Sequence, residues 1–361
     1  MSDSAPRKDT RGIVDPAELL SRVRFRRHTP APELRPYLEH YWLIDWELPE
    51  PYASHVVPHP SMNIVFQRYG ALGAPAADAH ASAEVSGIGL GLFTQKLTEA
   101  GRVCGIQFRP GGFRPFAPAW PVSTWTGRRV PLAEVFPDTG TDPGAGTDAG
   151  RDAGAGTDAG TDPGAGTDAG RDAGAGTDAG TDPGAGTDAG RDAGAGTDAG
   201  RDPGAGTDTE AGDAGTDPGL LSAVLSPDTD HARVAALDAF LLARGPAPDP
   251  AADRAMELVD LIRGDRTVRK VAQLVAATGL SARSLQRLFA SHVGVGPKWV
   301  ILRYRIHEAL ERAEAADAAG GPDWAALAAE LGYSDQAHLV REFTATIGVP
   351  PTAYARGVSA P

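Results

Sequence analysis

Two copies of one pattern lie in the C-terminal part of the chain, and they restrict its fold more than any other feature. Each copy predicts a short amphipathic helix, a turn at a glycine, a serine that can cap a helix, and a second amphipathic helix. The first copy covers 268–289 and turns at Gly279, and the second covers 324–343 and turns at Gly332. Such pairs are typical of helix-turn-helix units, whose second helix enters the major groove of DNA.

The second helix of each unit carries, on its outward face, side chains that are able to contact base edges. In the first unit these are Arg283, Ser284, Gln286 and Arg287, and in the second they are Gln336, Ala337, His338 and Arg341. Arginine pairs with N7 and O6 of guanine, and glutamine with N6 and N7 of adenine. The alternative is an ordinary helical hairpin with a solvated polar face. The scarcity of acids around the first of these helices favours insertion into the groove.

Residues 297–310, between the two units, predict one long helix that begins at Pro297. Such a helix would fix the distance between the units, and two recognition helices on one face of a duplex lie about 34 Å apart. Lys298, Arg303 and Arg305 on this helix are the candidates for contact with phosphates.

The net charge of −13 argues at first against a nucleic-acid partner, but the acidic residues are concentrated in one segment. Seventeen aspartates, one glutamate and four arginines lie within 138–219, so the rest of the chain is close to neutral. The interval 263–305 contains nine lysines and arginines, with Asp265 as its one acid. A local basic surface is what contacts phosphate, so the overall charge does not exclude DNA.

The acidic segment is a repeat. A block of 20 residues begins at Thr141 and recurs unchanged at Thr161 and Thr181. Its residues are almost only Gly, Ala, Asp, Thr, Pro and Arg, and they offer little to bury against a backbone ordering cost of about 1–2 kcal/mol per residue. We therefore expect 138–219 to be a disordered linker. A calcium-binding β-roll is the alternative, but it needs a regular large apolar residue, which the repeat lacks.

The region 25–137 predicts a β-rich domain with a sensing or dimerisation role. Short apolar runs bounded by Pro and Gly, such as 102–108, are typical of strands in a mostly antiparallel sheet or a cupin-like barrel. Trp42, Trp46 and Phe66 are candidates to line an effector pocket, and the alternative for each is a place in the core.

The histidines, one turn and the cysteine of this region are candidates for other chemistry. His40, His55 and His59 are candidate metal ligands, but no carboxylate stands at a suitable spacing, so neither a metal nor a cofactor is predicted. The turn 109–112 either cradles an anion through its backbone N–H groups or is a plain turn. The single cysteine, Cys104, lies in an apolar run, and it excludes an internal disulfide.

These patterns divide the chain into a flexible N-terminus (1–24), the β-rich domain (25–137), the linker (138–219), connecting helices (220–248) and an all-α DNA-binding domain (250–356). The predicted class is therefore a multidomain chain with an α+β, mostly β, N-terminal domain. The start of the chain is polar, and no apolar run approaches membrane-spanning length. We expect a soluble cytoplasmic protein that does not contact a membrane.

The stretch 281–354 resembles the DNA-binding domain of the AraC/XylS transcriptional regulators. The elements that carry the resemblance are 285–289, 294–297, 303–305, 327–328, 331–333, Phe343 and 348–354. The resemblance implies seven helices, two of them recognition helices, base contacts at the positions given above, bending of the DNA, and RNA polymerase as a partner. Ala337 departs from the family pattern, in which a polar residue is more usual.

The leading hypothesis is a sequence-specific regulator of transcription, not an enzyme. It would bind double-stranded DNA with two recognition helices in successive major grooves, and its β-rich domain would bind a small-molecule effector or form a homodimer. One alternative is a DNA-targeted enzyme or repair protein of the alkyl-transfer type, which would use Cys104. Another is a metabolite-binding protein with a decayed DNA reader.

Overall fold

The computed structural model describes residues 12–14, 16–70, 80–139, 215–316 and 323–354. The predicted linker lies outside these residues except at its two ends, so its predicted disorder stays a prediction. The flexible N-terminus predicted for 1–24 lies partly outside them as well. Within the described part of that stretch the chain forms a short strand, β1 (Ile13–Val14), and a short helix, α1 (Pro16–Arg22), of which the sequence predicts the helix. Ile13, Val14 and Leu19 are buried there, which explains why this part is ordered.

The N-terminal domain is β-rich, as predicted, and contains a six-stranded antiparallel sheet. Its strands are β2 (Val23–His28), β3 (Leu38–Glu47), β5 (Asn63–Tyr69), β6 (His80–Ser86), β8 (Ala100–Phe108) and β9 (Arg129–Pro131). They lie in the order β2-β3-β8-β5-β6-β9. A smaller sheet has the order β1-β4-β7, with β4 at Tyr52–Val56 and β7 at Phe93–Leu97. Successive side chains of a strand point to opposite faces, so the large sheet has two faces with different neighbours.

One face of the large sheet packs against helices that follow the repeat. α3 (Pro218–Leu225) and α4 (Asp230–Arg244) share a buried cluster with Phe66, Cys104 and Ile106. The rings of Phe66 and Phe240 meet edge to face at 5.7 Å. The residues predicted to connect two domains thus form one side of the core of the β-rich domain.

An ion cluster ties the same helices to the sheet. Asp45 accepts hydrogen bonds from Arg102 at 2.6 Å and from Arg26 at 2.5 Å, and Arg233 of α4 lies 3.2 Å away. Burial by itself would raise the pKa of Asp45, but the hydrogen bonds from Arg102 and Arg26 lower it below its ordinary value. Arg102 also donates to the carbonyl of Leu225 at 2.8 Å. Removing one partner of such a buried pair commonly costs about 3–5 kcal/mol.

The two described ends of the repeat lie on the same domain. α2 (Leu132–Val135) ends shortly before the repeat begins, and a Cβ on Gly215 would lie 3.9 Å from the Cβ of Ala133. Arg244 forms an ion pair with Asp138 at 2.6 Å. The chain therefore leaves and re-enters the β-rich domain close to α2.

The C-terminal part is all-α, and its described residues form seven helices, the number that the family resemblance implies. They are α5 (Pro250–Gly264), α6 (Val271–Thr278), α7 (Ala282–His292), α8 (Pro297–Ala316), α9 (Trp324–Glu330), α10 (Gln336–Ile347) and α11 (Pro351–Tyr354). None of the helices in the described ranges has the length and apolar character required to cross a membrane.

Candidate nucleic-acid interface

The first helix-turn-helix unit consists of α6 and α7, joined by a short turn. Gly279 ends α6 in the left-handed conformation, with φ of 69°. Ser281 caps α7, because its hydroxyl accepts the backbone N–H of Ser284 at 3.1 Å. Leu285 and Phe289 are fully buried, which fixes the rotation of α7 about its axis. The turn and the apolar spacing therefore produce the geometry that the sequence predicts.

The second unit consists of α9 and α10 and is built in the same way with different caps. Asp323 caps α9 through the backbone N–H groups of residues 325 and 326. Asp335 caps α10 by accepting the backbone N–H of His338 at 2.7 Å. Hydrogen bonds from His338 and Ser334 lower the pKa of Asp335, so this carboxylate is ionised at neutral pH. A fixed negative charge therefore stands at the start of α10, whereas α7 begins at a neutral serine.

The base-reading candidates of the first unit lie together on the open face of α7. Arg283, Gln286 and Arg287 are exposed. Ser284 is half-buried, and its hydroxyl lies 3.0 Å from that of Ser281, so it belongs to the cap. Two guanidinium groups and one carboxamide therefore remain at this face as groups that can reach a base edge.

The candidates of the second unit lie on the open face of α10. Gln336, Ala337, His338 and Arg341 are all exposed. The imidazole of His338 is held locally, with Nδ1 3.1 Å from the hydroxyl of Ser334. This face thus carries one guanidinium group where α7 carries two.

The three phosphate candidates on α8 are placed differently from one another. Lys298 is exposed. Arg303 is only 4% exposed, its guanidinium donates to the carbonyl of Leu90 at 2.9 Å, and it stacks on the ring of Trp299. Burial lowers the pKa of Arg303 to about 10. The prediction that Arg303 contacts phosphate is therefore wrong for this structure, because α8 turns that side chain toward the β-rich domain.

Arg305 is half-buried and braces the two units against each other. It donates to the carbonyls of Arg269, at 3.1 Å, and Gly332, at 3.3 Å, and its guanidinium lies over the ring of Tyr333. Both hydrogen bonds are donated by Nη2 of Arg305, which the sequence assigned to phosphate. Arg269 packs closely against Gly332, since a Cβ on that glycine would lie 2.3 Å from the Cδ of Arg269. The bracing role of Arg269 could not be read from the sequence, because its partner lies in the other unit.

The C-terminal end of α7 contacts the β-rich domain. Arg114 donates to the hydroxyl of Ser291 at 2.6 Å and lies 2.9 Å from Nε2 of His292. Ser291, which helical spacing puts on the outward face, is thereby covered. Burial lowers the pKa of His292, although Asp249 lies 3.3 Å away. The hydroxyl of Thr126 also donates to the carbonyl of Gly294 at 2.7 Å.

A second contact joins the β-rich domain to α8. The ring of His59 stacks on that of His307 at 4.0 Å with 7° between the planes, and His307 is 2% exposed. Val57, in the same loop as His59, belongs to a buried cluster with Ile306 and Phe343 of the helical domain. The loop that precedes β5 therefore touches the helix that spaces the two units.

The predicted effector-pocket residues divide between the two faces of the large sheet. Trp42 and Trp46 line a cavity of about 260 Å³ between the two sheets. Phe66 lies on the other face, fully buried in the core.

The remaining candidates of the N-terminal region have structural roles. The described residues contain no group of three histidines, cysteines or carboxylates that could hold a metal ion. His55 lies 2.9 Å from the hydroxyl of Thr94. The turn at 109–112 packs on α5, where Arg109 forms an ion pair with Asp260. Cys104 is fully buried, and burial raises the pKa of its thiol to about 12.

This fold, with two helix-turn-helix units and open polar faces on both second helices, defines a DNA-binding protein. Residues 274–357 match the family described as "Helix-turn-helix domain", and residues 26–131 match a family described as a domain of unknown function. The C-terminal part of the chain is an AraC-type helix-turn-helix domain, as the sequence resemblance implies.

Among solved structures the chain is similar to ToxT from Vibrio cholerae, at 8% identity and a TM-score of 0.35, over 93% of this chain and 98% of that one. A structure of wild-type ToxT from Vibrio cholerae strain SCE256 with a bound unsaturated fatty acid matches at 11% identity and a TM-score of 0.34. That match covers 89% of this chain and 97% of the other. No curated protein matches the chain.

Proposed function

We propose that the chain is a sequence-specific regulator of transcription that binds DNA with α7 and α10 in successive major grooves. The observation that carries this proposal is the open face of α7, where Arg283, Gln286 and Arg287 are exposed next to each other. Guanidinium and carboxamide groups on the first turns of a recognition helix are the usual readers of guanine and adenine. Such a regulator would act in the cytoplasm on double-stranded DNA.

The proposal includes control by a small-molecule effector in the β-rich domain. Its support is the contact of that domain with two helices of the DNA-binding domain: Arg114 lies against the end of α7, and His59 stacks on His307 of α8. A ligand that moved either contact would change the spacing or orientation of the recognition helices. A homodimer and a contact with RNA polymerase are further parts of the proposal that come from the family resemblance.

The alkyl-transfer alternative receives no support from Cys104. A nucleophilic cysteine needs access and a lowered pKa, so that the thiolate is populated. The thiol of Cys104 is fully buried against the carbonyl of Val224, and its pKa is raised. The alternative of a decayed reader is opposed by the intact caps and buried faces of α7 and α10.

Mobility shift on genomic fragments at moderate salt tests the proposal. Fragments recovered by genome-wide binding are expected to be retained by the wild-type chain, and Arg287→Ala is expected to weaken that binding by about 1–3 kcal/mol. The matched control is Arg128→Ala, which removes an exposed arginine of the β-rich domain. Absence of any retained fragment, or equal effects of the two substitutions, would contradict the proposal.

A further inference from the structure

The cavity between the two sheets has an apolar end and a polar end. In the large sheet, the register places Val23, Trp46, Gly101 and Tyr69 side by side in one row on the cavity face. Two rows further along the strands, Arg27 stands beside Trp42. In the next row His40, Gln107, Asn63, Ser86 and Arg129 cross five strands. A molecule in this space would therefore meet apolar groups at one end and hydrogen-bonding groups at the other.

Two indole rings form a flat floor in this cavity. Trp46 lies directly opposite Gly101, and Trp42 lies directly opposite Gly105. A Cβ on Gly101 would be 2.2 Å from Cζ2 of Trp46, and a Cβ on Gly105 would be 1.9 Å from Cε2 of Trp42. Both rings therefore lie over backbone that only glycine can provide at this distance. Trp42 is half-buried and turns a ring face to the space above the sheet, whereas Trp46 is 3% exposed and packs in a cluster with Leu19 and Leu97.

The opposite wall is also largely apolar. Ile13 of β1, Leu19 of α1 and Leu97 of β7 line it, and Ile13 and Leu97 come from the smaller sheet. A flat ring system can lie on the face of an indole, and offset stacking on it adds to the free energy of burial.

The charge of the lining is positive. Arg27, His40, His59 and Arg129 line the cavity, and no aspartate or glutamate is found among its described lining residues. Glu84 forms an ion pair with Arg129 at the margin. Glu84 balances the charge of Arg129, so the positive charge of the polar end comes from Arg27, and it favours an anionic group over a cationic one.

We propose that this cavity binds a small, flat, apolar molecule that carries one negative charge, with the ring system on Trp42 and the charged group near Arg27 and His40. The effector role of such a ligand rests on the proposed function. The binding itself does not rest on it.

The loop at 57–59 connects the cavity to the DNA-binding domain. Val57 and His59 line the cavity, and they also contact the helical domain, Val57 through its buried cluster and His59 through the stack on His307. A ligand that displaced this loop would act directly on α8.

Isothermal titration calorimetry on the full chain without DNA tests the proposal with three matched probes. The probes are 1-naphthoate, the uncharged 1-naphthamide, and decahydronaphthalene-1-carboxylate, which keeps the charge but is not flat. We expect 1-naphthoate to bind about tenfold more tightly than either of the others. Equal binding of naphthoate and naphthamide, tighter binding of the non-flat acid, or no binding of any probe would overturn the proposal.

Substitutions of lining residues test whether the probes bind in this cavity. Arg27→Gln is expected to remove the preference for naphthoate over naphthamide, whereas Arg35→Gln, at an exposed arginine outside the lining, is expected to keep it. Trp42→Leu is expected to weaken all flat probes about tenfold, and Trp120→Leu, at a tryptophan that is 59% exposed, is expected to have no effect. Far-ultraviolet circular dichroism identifies a variant that fails to fold, and the two paired controls keep the test decisive in that case.

A mobility shift on the same samples separates the two proposals. If naphthoate binds but no DNA fragment is retained, the ligand proposal stands and the proposed function falls. If DNA is retained and no probe binds, the ligand proposal falls alone.

Discussion

The two helix-turn-helix units share one construction and differ in their surroundings. α7 starts at the neutral cap Ser281 and exposes two arginines, whereas α10 starts at the ionised cap Asp335 and exposes one arginine next to Ala337. The end of α7 is also held by the β-rich domain through Arg114. We infer that the first unit dominates base readout and senses the β-rich domain, and that the second contributes more through backbone contacts and DNA shape.

Alanine substitution of the glycines after the two recognition helices is expected to give the largest difference between the units. Both have positive φ, 95° at Gly294 and 86° at Gly348, so alanine is strained at either position. A Cβ on Gly294 would also lie 2.8 Å from Cδ1 of Ile88, whereas a Cβ on Gly348 would lie 4.0 Å from Cδ2 of Leu92. We expect Gly294→Ala to lower the free energy of unfolding by about 2–4 kcal/mol and Gly348→Ala by about 1–2 kcal/mol. Urea unfolding of both variants measures this, and equal losses would show that the first unit is not held more tightly.

Loss of one arginine from each recognition face is expected to have the next largest effect. Arg287→Ala is expected to cost about 1–3 kcal/mol of specific binding and to relax the preference at one base pair. Arg341→Ala is expected to cost less than about 1 kcal/mol and to change the salt dependence more than the sequence preference. Titrations of both variants on the same DNA at two salt concentrations decide this, and a larger loss for Arg341→Ala would reverse the comparison.

The brace between the units is expected to matter less for stability than for DNA binding. Arg305→Met keeps the length and apolar stem of the side chain but removes its hydrogen bonds to the carbonyls of Arg269 and Gly332. We expect a stability loss of about 1–2 kcal/mol, together with weaker binding to sites that engage both units. Arg254→Met, at an exposed arginine of α5, is the control. If Arg305→Met weakened binding without any loss of stability, a direct phosphate contact would explain it better than a brace.

The smallest effect is expected from the repeat. Because residues on both sides of it contact the neighbourhood of α2, its length does not set the distance between the β-rich domain and the reader. We expect deletion of 141–200 to leave specific DNA affinity unchanged within about 0.5 kcal/mol at physiological salt. A large change in affinity would give the repeat a role beyond that of a tolerated insertion.

The sequence predicts local features of this molecule well and long-range ones poorly. The bounds of α7 and α10 follow from the spacing of Leu285 and Phe289, or of Leu339 and Phe343, and from their caps, all of which are local signals. The burial of Arg303 could not be predicted, because the Leu90 carbonyl that it contacts is distant in sequence.

The same difference between local and long-range features applies to the helices after the repeat. Their apolar spacing predicts α3 and α4, but not the sheet face on which they pack. Arg26, Asp45 and Arg233 look like ordinary surface charges until the fold brings them together. The flat placement of Trp42 and Trp46 likewise depends on glycines in another strand, which only the strand register identifies.

Selection of binding sites from random DNA tests most directly whether the first unit dominates base readout. We expect two blocks of base preference whose centres lie about one duplex turn apart, with the sharper block assigned to α7 by its loss in Arg287→Ala. Two equally sharp blocks, or a sharper block that is lost in Arg341→Ala instead, would contradict it.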